Sequence, residues 1–216
     1  MNSEPLIVKH VPTSNKIGSA KRIYDKVIGW RKTDEVLHDA FTRYPKNNDP
    51  DSVYFKIELV DSLYKCNLRM DKTKIADLIA GKNLDMVNGD RIENVDKIAE
   101  LEPGHKRVGW VFSSKYCHFH VPEKYPIIDA FARRGLKYLM ENGTLVRYDS
   151  YGNFVTDLDY VILKIGKSVT YKDMDIYLYL LGQYLNHLKG RTNISSNIKV
   201  IFNDKKMSKL TSNLIP

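Results

Sequence analysis

Apolar residues recur at every third or fourth position along most of the chain, the spacing that lines one face of an α-helix. The segments with this spacing are residues 15–30, 51–64, 71–81, 90–101, 108–119, 151–165 and 170–190. The last segment opens with Thr170 and Asp173, whose spacing is typical of a helix start. The alternation of strands and helices that a nucleotide-binding α/β fold needs is missing. The pattern therefore predicts an all-α fold.

The helical spacing is interrupted at two places. Residues 36–50 are mostly polar and include Pro45, so we expect an exposed loop there. The second break falls at Val121-Pro122, and Pro126, a favourable first-turn residue, predicts where the next helix begins. Residues 160–163 alone also fit a strand, although the residues around them favour a helix.

The length of 216 residues suits one domain with a proper hydrophobic core. We expect this domain to cover residues 1–190. Residues 191–216 are rich in Asn, Ser, Lys and Thr and contain a brief strand-like run at 198–202. They indicate a basic, loosely held C-terminal tail.

The chain carries a surplus of positive charge. Lys and Arg number 34 against 26 Asp and Glu, which gives a formal net charge of +8 and a pI near 9.2. This surplus favours a polyanionic partner, either nucleic acid or an anionic membrane surface. No window approaches the roughly 18 to 20 apolar residues of a spanning helix, and the amino terminus lacks the layout of a secretory signal. We therefore expect a cytoplasmic protein, and we expect it to be a monomer.

The sequence offers no pattern for a metal, a cofactor or a disulfide. Cys66 and Cys117 lie in separate predicted helices, so both are interpreted as small core residues. Cys117, His118 and His120 are neighbours, but positions two apart on a helix point to different faces. We therefore expect neither a bound metal nor a cofactor.

The most informative segment runs from Glu102 to Leu136. Lys115 lies in a predicted helix whose other residues are mostly apolar, so its ammonium group either reaches out to solvent or enters a pocket. Asp129 follows Pro126-Ile-Ile in the first turn of the next predicted helix, where free amides and the helix dipole favour a carboxylate. An aspartate in this position is also common as a plain helix-terminal residue.

Pro126-Ile-Ile-Asp129 resembles the signature of the helix-hairpin-helix superfamily of DNA glycosylases, called HhH-GPD. In that family a helix leads into a short loop that ends in an apolar-Asp pair, and the aspartate caps the next helix while it faces the flipped nucleotide. Pro103-Gly104, followed by Lys106-Arg107, stands where the family's hairpin holds the DNA backbone. Lys115 lies on the preceding helix, as the lysine of bifunctional members does, but about one helical turn nearer the aspartate.

The resemblance covers about residues 51–140 and 170–190. It implies a compact multi-helix fold and an enzyme that excises bases from DNA. The target base has to be rotated out of the duplex before its glycosidic bond can be reached. Asp129 would stabilise the positive charge that develops on the sugar, and Lys115 would form a Schiff base that adds strand cleavage. The residues expected at phosphates are Lys106, Arg107, Arg133 and Arg134, and those expected to stack on the base are Trp110, Tyr116, Phe119 and Tyr125.

Other interpretations stay open at this point. The excision would serve either DNA repair or defence against modified phage DNA. The alternative function is a non-catalytic helical DNA-binding protein on the same scaffold, and a third is a helical domain that binds an acidic protein. The site residues have plain interpretations too: Lys115 as a solvated lysine, Trp110 and Phe119 as core residues, Arg133 and Arg134 as an exposed helix face.

Overall fold

The computed structural model describes residues 7–69, 71–82, 84–101, 106–140, 150–166 and 169–215, without the side chains of residues 106–108. In these ranges the chain forms eleven α-helices and a short 3-10 helix at Lys205–Met207. The α-helices are α1 Ser14–Lys26, α2 Ile28–Arg43, α3 Pro50–Tyr64, α4 Lys72–Lys82, α5 Arg91–Ala99, α6 Lys106–His120, α7 Ala130–Leu139, α8 Tyr151–Ile165, α9 Tyr171–Leu188, α10 Ser196–Asn203 and α11 Ser208–Ser212. The same ranges contain an isolated bridge between Val8 and Met140 and no strand. The all-α prediction is confirmed.

Polar side chains start several of these helices by accepting hydrogen bonds from the free amides of the first turn. Asp49 does so for α3 at 3.0 Å, and Asp90 accepts from two first-turn amides of α5 at 2.9 and 2.8 Å. At α9, Thr170 accepts from the Asp173 amide while the Asp173 carboxylate accepts from the Thr170 amide. The helix start predicted at Thr170 is therefore confirmed.

The region around α1 and α2 differs from the prediction. The helix expected over residues 15–30 is two helices, because Val27, with φ −86° and ψ 74°, ends α1. α2 then continues to Arg43 because Leu37, Ala40 and Phe41 keep helical spacing on a buried face. The prediction of an exposed loop is wrong for residues 36–43.

α7 begins at Ala130 rather than near Pro126, because residues 125–129 are not helical and Asp129 itself is extended. The amide of Ile128 donates to the Ser114 hydroxyl at 3.2 Å, and the Tyr125 carbonyl lies 2.8 Å from Nδ1 of His118. Both partners are on α6, so this segment is bound along a helix instead of forming one.

The chain divides into two compact units. Unit A consists of Met1–Arg31 and Asp129–Pro216, and unit B of Lys32–Ile128. These bounds differ from the predicted domain over residues 1–190, since unit A takes in both ends of the chain.

Unit A is built around the contact between α7 and α9, two helices whose backbones touch at glycines. A Cβ atom on Gly135 would lie 2.6 Å from the carbonyl oxygen of Leu178, and one on Gly182 would overlap the carbonyl group of Phe131. Only glycine allows backbones to approach so closely. The start of α7 is therefore fixed against α9.

The C-terminal residues are packed into unit A and are not a loose tail. α10 buries Ile198 and Phe202, so the strand-like run predicted at residues 198–202 is helix. Leu214 is fully buried, and its carbonyl accepts a hydrogen bond from the Tyr177 hydroxyl at 2.9 Å. The carbonyl of Ile215 accepts from Lys16 on α1. The segment joins α1 and α9 instead of extending into solvent.

Unit B packs α3 against α4 and α6, and α5 against α6. α3 buries Val53, Ile57 and Val60, and α6 buries most of its length from Phe112 to Phe119. The buried central helix predicted from residue 51 is confirmed.

Cys66 and Cys117 are both buried and unbridged, which confirms their interpretation as core residues. Burial raises the pKa of the Cys117 thiol well above its ordinary value. Among the described helices, none is long and apolar enough to cross a membrane.

The glycine contact predicts that Gly182→Ala destabilises the protein by about 1–3 kcal/mol or more, because the new methyl group overlaps backbone that has no free space to move into. Gly81→Ala, in the open middle of α4's last turn, is the matched control and should stabilise by roughly 0.5–1 kcal/mol. Urea unfolding of both variants checks this. Equal stability of Gly182→Ala and the wild type would contradict the close contact.

Candidate functional site

Asp129 is the N-cap of α7 in unit A. Its Oδ1 accepts hydrogen bonds from the amides of Phe131 and Ala132, both at 2.8 Å. The side chain is half-buried, and Oδ2 receives no hydrogen bond from the part of the chain that the structure describes. One carboxylate oxygen is therefore occupied by the helix and the other is available.

A tyrosine from α9 lies beside this carboxylate. The ring of Phe131 packs edge-on against Tyr179, with 5.4 Å between the ring centroids. Burial, and then the negative charge of Asp129, raises the pKa of the Tyr179 hydroxyl well above its ordinary value. Tyr179 is therefore a neutral phenol next to an ionisable carboxyl group.

The two predicted phosphate contacts on α7 have different surroundings. Arg133 donates from Nε to the carbonyl oxygen of Asp129 at 3.3 Å. Arg134 has its Nη1 buried without a hydrogen-bond partner among the described residues. Burial, and then the charge of Arg191, lowers the pKa of Arg134, so two cations lie near each other. This arrangement suits an anion that would bridge them.

Lys115 lies in unit B, whereas Asp129 belongs to unit A. Its side chain is 5% exposed, and its Nζ lies 4.6 Å from the centre of the Tyr64 ring. Tyr64 in turn donates from its hydroxyl to Asp34 at 2.5 Å. The ammonium therefore enters an aromatic pocket, one of the two outcomes that the sequence left open.

The four aromatic residues predicted to stack on a base are core residues of unit B. Trp110 donates to Asp96 at 2.8 Å, and the hydroxyl of Tyr116 donates to Asn47 at 2.7 Å. The hydroxyl of Tyr125 donates to a backbone carbonyl and accepts from Asn94. Phe119 packs among other rings. Because their faces and polar atoms are used internally, the stacking role is not supported.

The remaining predicted contacts cannot be placed. Pro103-Gly104 lies outside the described residues, and only the backbone of Lys106 and Arg107 is described, as the first turn of α6. Their predicted role at the DNA backbone stays a prediction. Among the described residues, no group of three or more His, Cys, Asp or Glu is arranged to hold a metal ion.

Sequence reasoning missed a polar cluster around Lys56 in unit B. This lysine is fully buried, and its Nζ donates to the carbonyls of Tyr44 and Lys46 at 2.9 and 2.8 Å and to Oδ1 of Asn47 at 2.9 Å. Burial lowers its pKa to about 8. A signal was present in the sequence, because residue 56 shares the helical face of Val53 and Val60.

A cavity of about 620 Å³ adjoins this cluster. Its wall combines apolar side chains from α2, α6 and the segment after α4 with polar groups from the loop after α2. The lining residues are His38, Phe41, Thr42, Pro45, Lys46, Asn47, Asn48, Leu84, Asp85, Met86, Val87, Phe119, His120 and Val121. A concave site of this size with a few polar groups is typical of small-molecule sites.

His120, at the end of α6, lies between the cavity and Lys56. Its Nε2 is 3.4 Å from Nζ of Lys56, and its ring packs edge-on against Phe41. Burial, and then the charge of Lys56, lowers the pKa of His120 to about 3. The imidazole is therefore neutral at physiological pH.

This shift predicts an acid-dependent loss of stability. Below pH about 6.5 the unfolded chain protonates His120 while the folded protein does not, so the free energy of unfolding should fall as the pH drops from 6.5 towards 3. His120→Gln should make this decline shallower. His38→Gln, at an exposed histidine on α2, is the control and should leave the slope unchanged. Urea midpoints at several pH values measure it, and parallel curves for wild type and His120→Gln would refute it.

Comparison with known proteins matches residues 14–124 to a family designated HI_0787_N and described as an N-terminal domain. A curated relative from Haemophilus influenzae, named "Uncharacterized protein", is 26% identical over 138 residues, which cover 59% of this chain and 64% of the relative. The chain thus spans less than two thirds of that relative's length. No solved structure matches the chain. Since the family match covers more than half of the sequence, this chain belongs to the HI_0787_N family.

Proposed function

We propose that this protein is a DNA glycosylase in which Asp129 is the catalytic carboxylate. The observation that carries the proposal is that the two oxygens of this carboxylate differ. Oδ1 caps α7, and Oδ2 has no partner in the described part of the protein. The resemblance of residues 126–129 to the HhH-GPD signature requires an aspartate that caps the next helix, and Asp129 has that position.

Hydrolysis of the glycosidic bond requires a fixed negative charge near the sugar of the extruded nucleotide. Breaking the glycosidic bond builds positive charge on that sugar, and a carboxylate that is already in place stabilises it without reorganisation. The Asp129 carboxylate is held by hydrogen bonds from two backbone amides, and α7 itself is held by the glycine contact with α9. The free oxygen of Asp129 would face the sugar or orient the attacking water.

The proposal is limited to hydrolysis of the glycosidic bond. A Schiff-base nucleophile needs an amine that reaches the sugar, whereas Lys115 is buried and its ammonium lies against the ring of Tyr64. The lyase role predicted for Lys115 is therefore left out. A hydrolytic enzyme leaves an abasic site that breaks only on treatment with alkali.

The proposed partner is DNA, and the proposed cellular role follows from it. The net charge of +8 supports association with DNA by counterion release. We place the activity in the cytoplasm, with a monomer acting on damaged or modified bases, for repair or for defence against modified phage DNA. The identity of the target base depends on the shape of a binding pocket, which is formed by residues from several helices.

The main test is Asp129→Asn, incubated with a panel of duplexes carrying damaged or modified bases. Asparagine caps a helix about as well as aspartate, so the fold should be kept while base release falls by roughly 100- to 1000-fold. Asp90→Asn, the same exchange at the N-cap of α5, is the matched control and should release bases like the wild type. Alkali-dependent strand breaks on a sequencing gel report the product.

Two results would overturn the proposal. One is release by Asp129→Asn at the wild-type rate, and the other is no release from any duplex of the panel by the folded wild type. Borohydride tests the exclusion of Lys115: a trapped covalent adduct that disappears in Lys115→Ala would show that the reaction does use this lysine.

A second candidate is a non-catalytic DNA-binding protein, and it is favoured by Arg134. Its buried Nη1 without a described partner, close to the charge of Arg191, suits a phosphate group. Gly190, at φ 65°, turns the chain after α9, and the amide of Arg191 then donates to the Asn186 carbonyl at 3.0 Å, which fixes the backbone of the second arginine. This pair supports DNA contact whether or not Asp129 is catalytic.

Arg134→Gln should weaken DNA binding at every sequence and reduce the slope of log affinity against log salt by about 1, because one phosphate contact is lost. Lys199→Gln, at an exposed lysine on α10, removes the same charge and is the control. Fluorescence anisotropy at several salt concentrations measures both. Identical slopes for the two variants would remove Arg134 from the DNA contact.

A further inference from the structure

The cavity of unit B contains a side-chain amide whose orientation is fixed by its neighbours. Oδ1 of Asn47 accepts from the Tyr116 hydroxyl at 2.7 Å and from Nζ of Lys56 at 2.9 Å. The ammonium of Lys56 can only donate, so it requires the oxygen at this position, and the amide cannot be turned round. Its NH₂ group therefore has only one direction left.

That NH₂ group has no partner among the described residues, although Asn47 is only 5% exposed and lines the cavity. Nδ2 is not one of the side-chain atoms that are buried without a partner, so it is open to solvent, and water in the cavity can hydrate it. Nδ2 thus offers two N–H groups, preorganised by Tyr116 and Lys56, to an acceptor in the cavity. A carbonyl oxygen is the natural partner.

The rest of the wall defines the body of the ligand. The side chains of Phe41, Met86 and Phe119 are apolar and buried where they border the cavity. Such a wall favours a flat ring over a strongly hydrated chain. The volume of about 620 Å³ accepts a molecule of the size of a mononucleotide.

Charge at the rim defines the remaining group. Lys46 is exposed and has no ion pair among the described residues. Asp85, across the rim, is engaged with its own loop: its carboxylate accepts from the amides of Val87 and Asn88 at 2.9 and 2.8 Å. That carboxylate stays negative, but the charge of Lys124 acts on it, so Lys46 is the cation at the opening without an ion pair among the described residues, which suits an anionic substituent.

We propose that this cavity is a binding site for a small anionic ligand with a carbonyl-bearing ring, a chemistry that pyrimidine nucleoside monophosphates present. Nδ2 of Asn47 donates to the ring carbonyl, the apolar wall covers the ring, and Lys46 meets the phosphate. The site lies wholly in unit B, so it does not depend on Asp129 or on the proposed excision of bases.

The test is isothermal titration of the full chain with thymidine 5′-monophosphate. Wild type should bind one equivalent saturably. Asn47→Asp keeps an oxygen for Tyr116 and Lys56 but replaces the NH₂ donor with an acceptor, so affinity should fall on the order of tenfold or more. Asn203→Asp, the same exchange at the end of α10 in unit A, is the matched control and should bind like the wild type.

Two further arms separate ring from phosphate. Lys46→Ala should weaken the monophosphate several-fold and leave the affinity for thymidine unchanged. Inorganic phosphate should compete only weakly. No binding to wild type at millimolar monophosphate, equal binding by Asn47→Asp, or equal competition by inorganic phosphate would each overturn the proposal.

If Asn47→Asp does not fold, as seen by circular dichroism, the side-chain amide signals of Asn47 in a ¹⁵N-labelled wild type replace it. Those signals should shift on titration with the monophosphate, and an unmoved pair at saturation would overturn the assignment of Nδ2. Asp129→Asn should bind the monophosphate like the wild type, so failure of the proposed excision leaves this result readable.

Discussion

The contact of α7 with α9 through glycines is the constraint on which the candidate site in unit A depends. Where two helix backbones touch, neither can slide or rotate without a clash, because no side chain separates them. The position of the first residue of α7 is therefore fixed by packing. The backbone positions of Asp129, Arg133 and Arg134 are fixed with it. A catalytic or phosphate-binding group needs this kind of support more than it needs burial.

Unit B contains a fully buried lysine, Lys56, whose charge has to be stabilised by the protein. Lys56 has three N–H donors and finds three oxygens, two of them carbonyls of the loop after α2. The satisfied ammonium holds that loop in place, and the loop in turn supplies much of the cavity wall. Burial keeps His120 neutral, and the positive charge of Lys56 beside it acts in the same direction.

The sequence predicted helices well where long apolar stripes coincide with caps, as at Thr170 for α9 and over residues 51–64 for α3. It failed where tertiary contacts decide the outcome. Proline chemistry suggested a helix from Pro126, but contacts with Ser114 and His118 hold that segment against α6. The aromatic residues of α6 carry no sign in the sequence that their faces are covered by distant helices. Asp129 was found through a short motif, whereas Asn47 had no motif, because its role arises from Tyr116 and Lys56.

The two units also differ in how they can form during synthesis. Unit B is one continuous stretch of chain, so all of its packing partners are synthesised before α7. Unit A is discontinuous, and α1 has to wait for α9 and the buried Leu214 before its apolar face is covered. Translation therefore favours a sequential order, with unit B folding first and the exposed face of α1 as the surface most open to chaperones in the meantime.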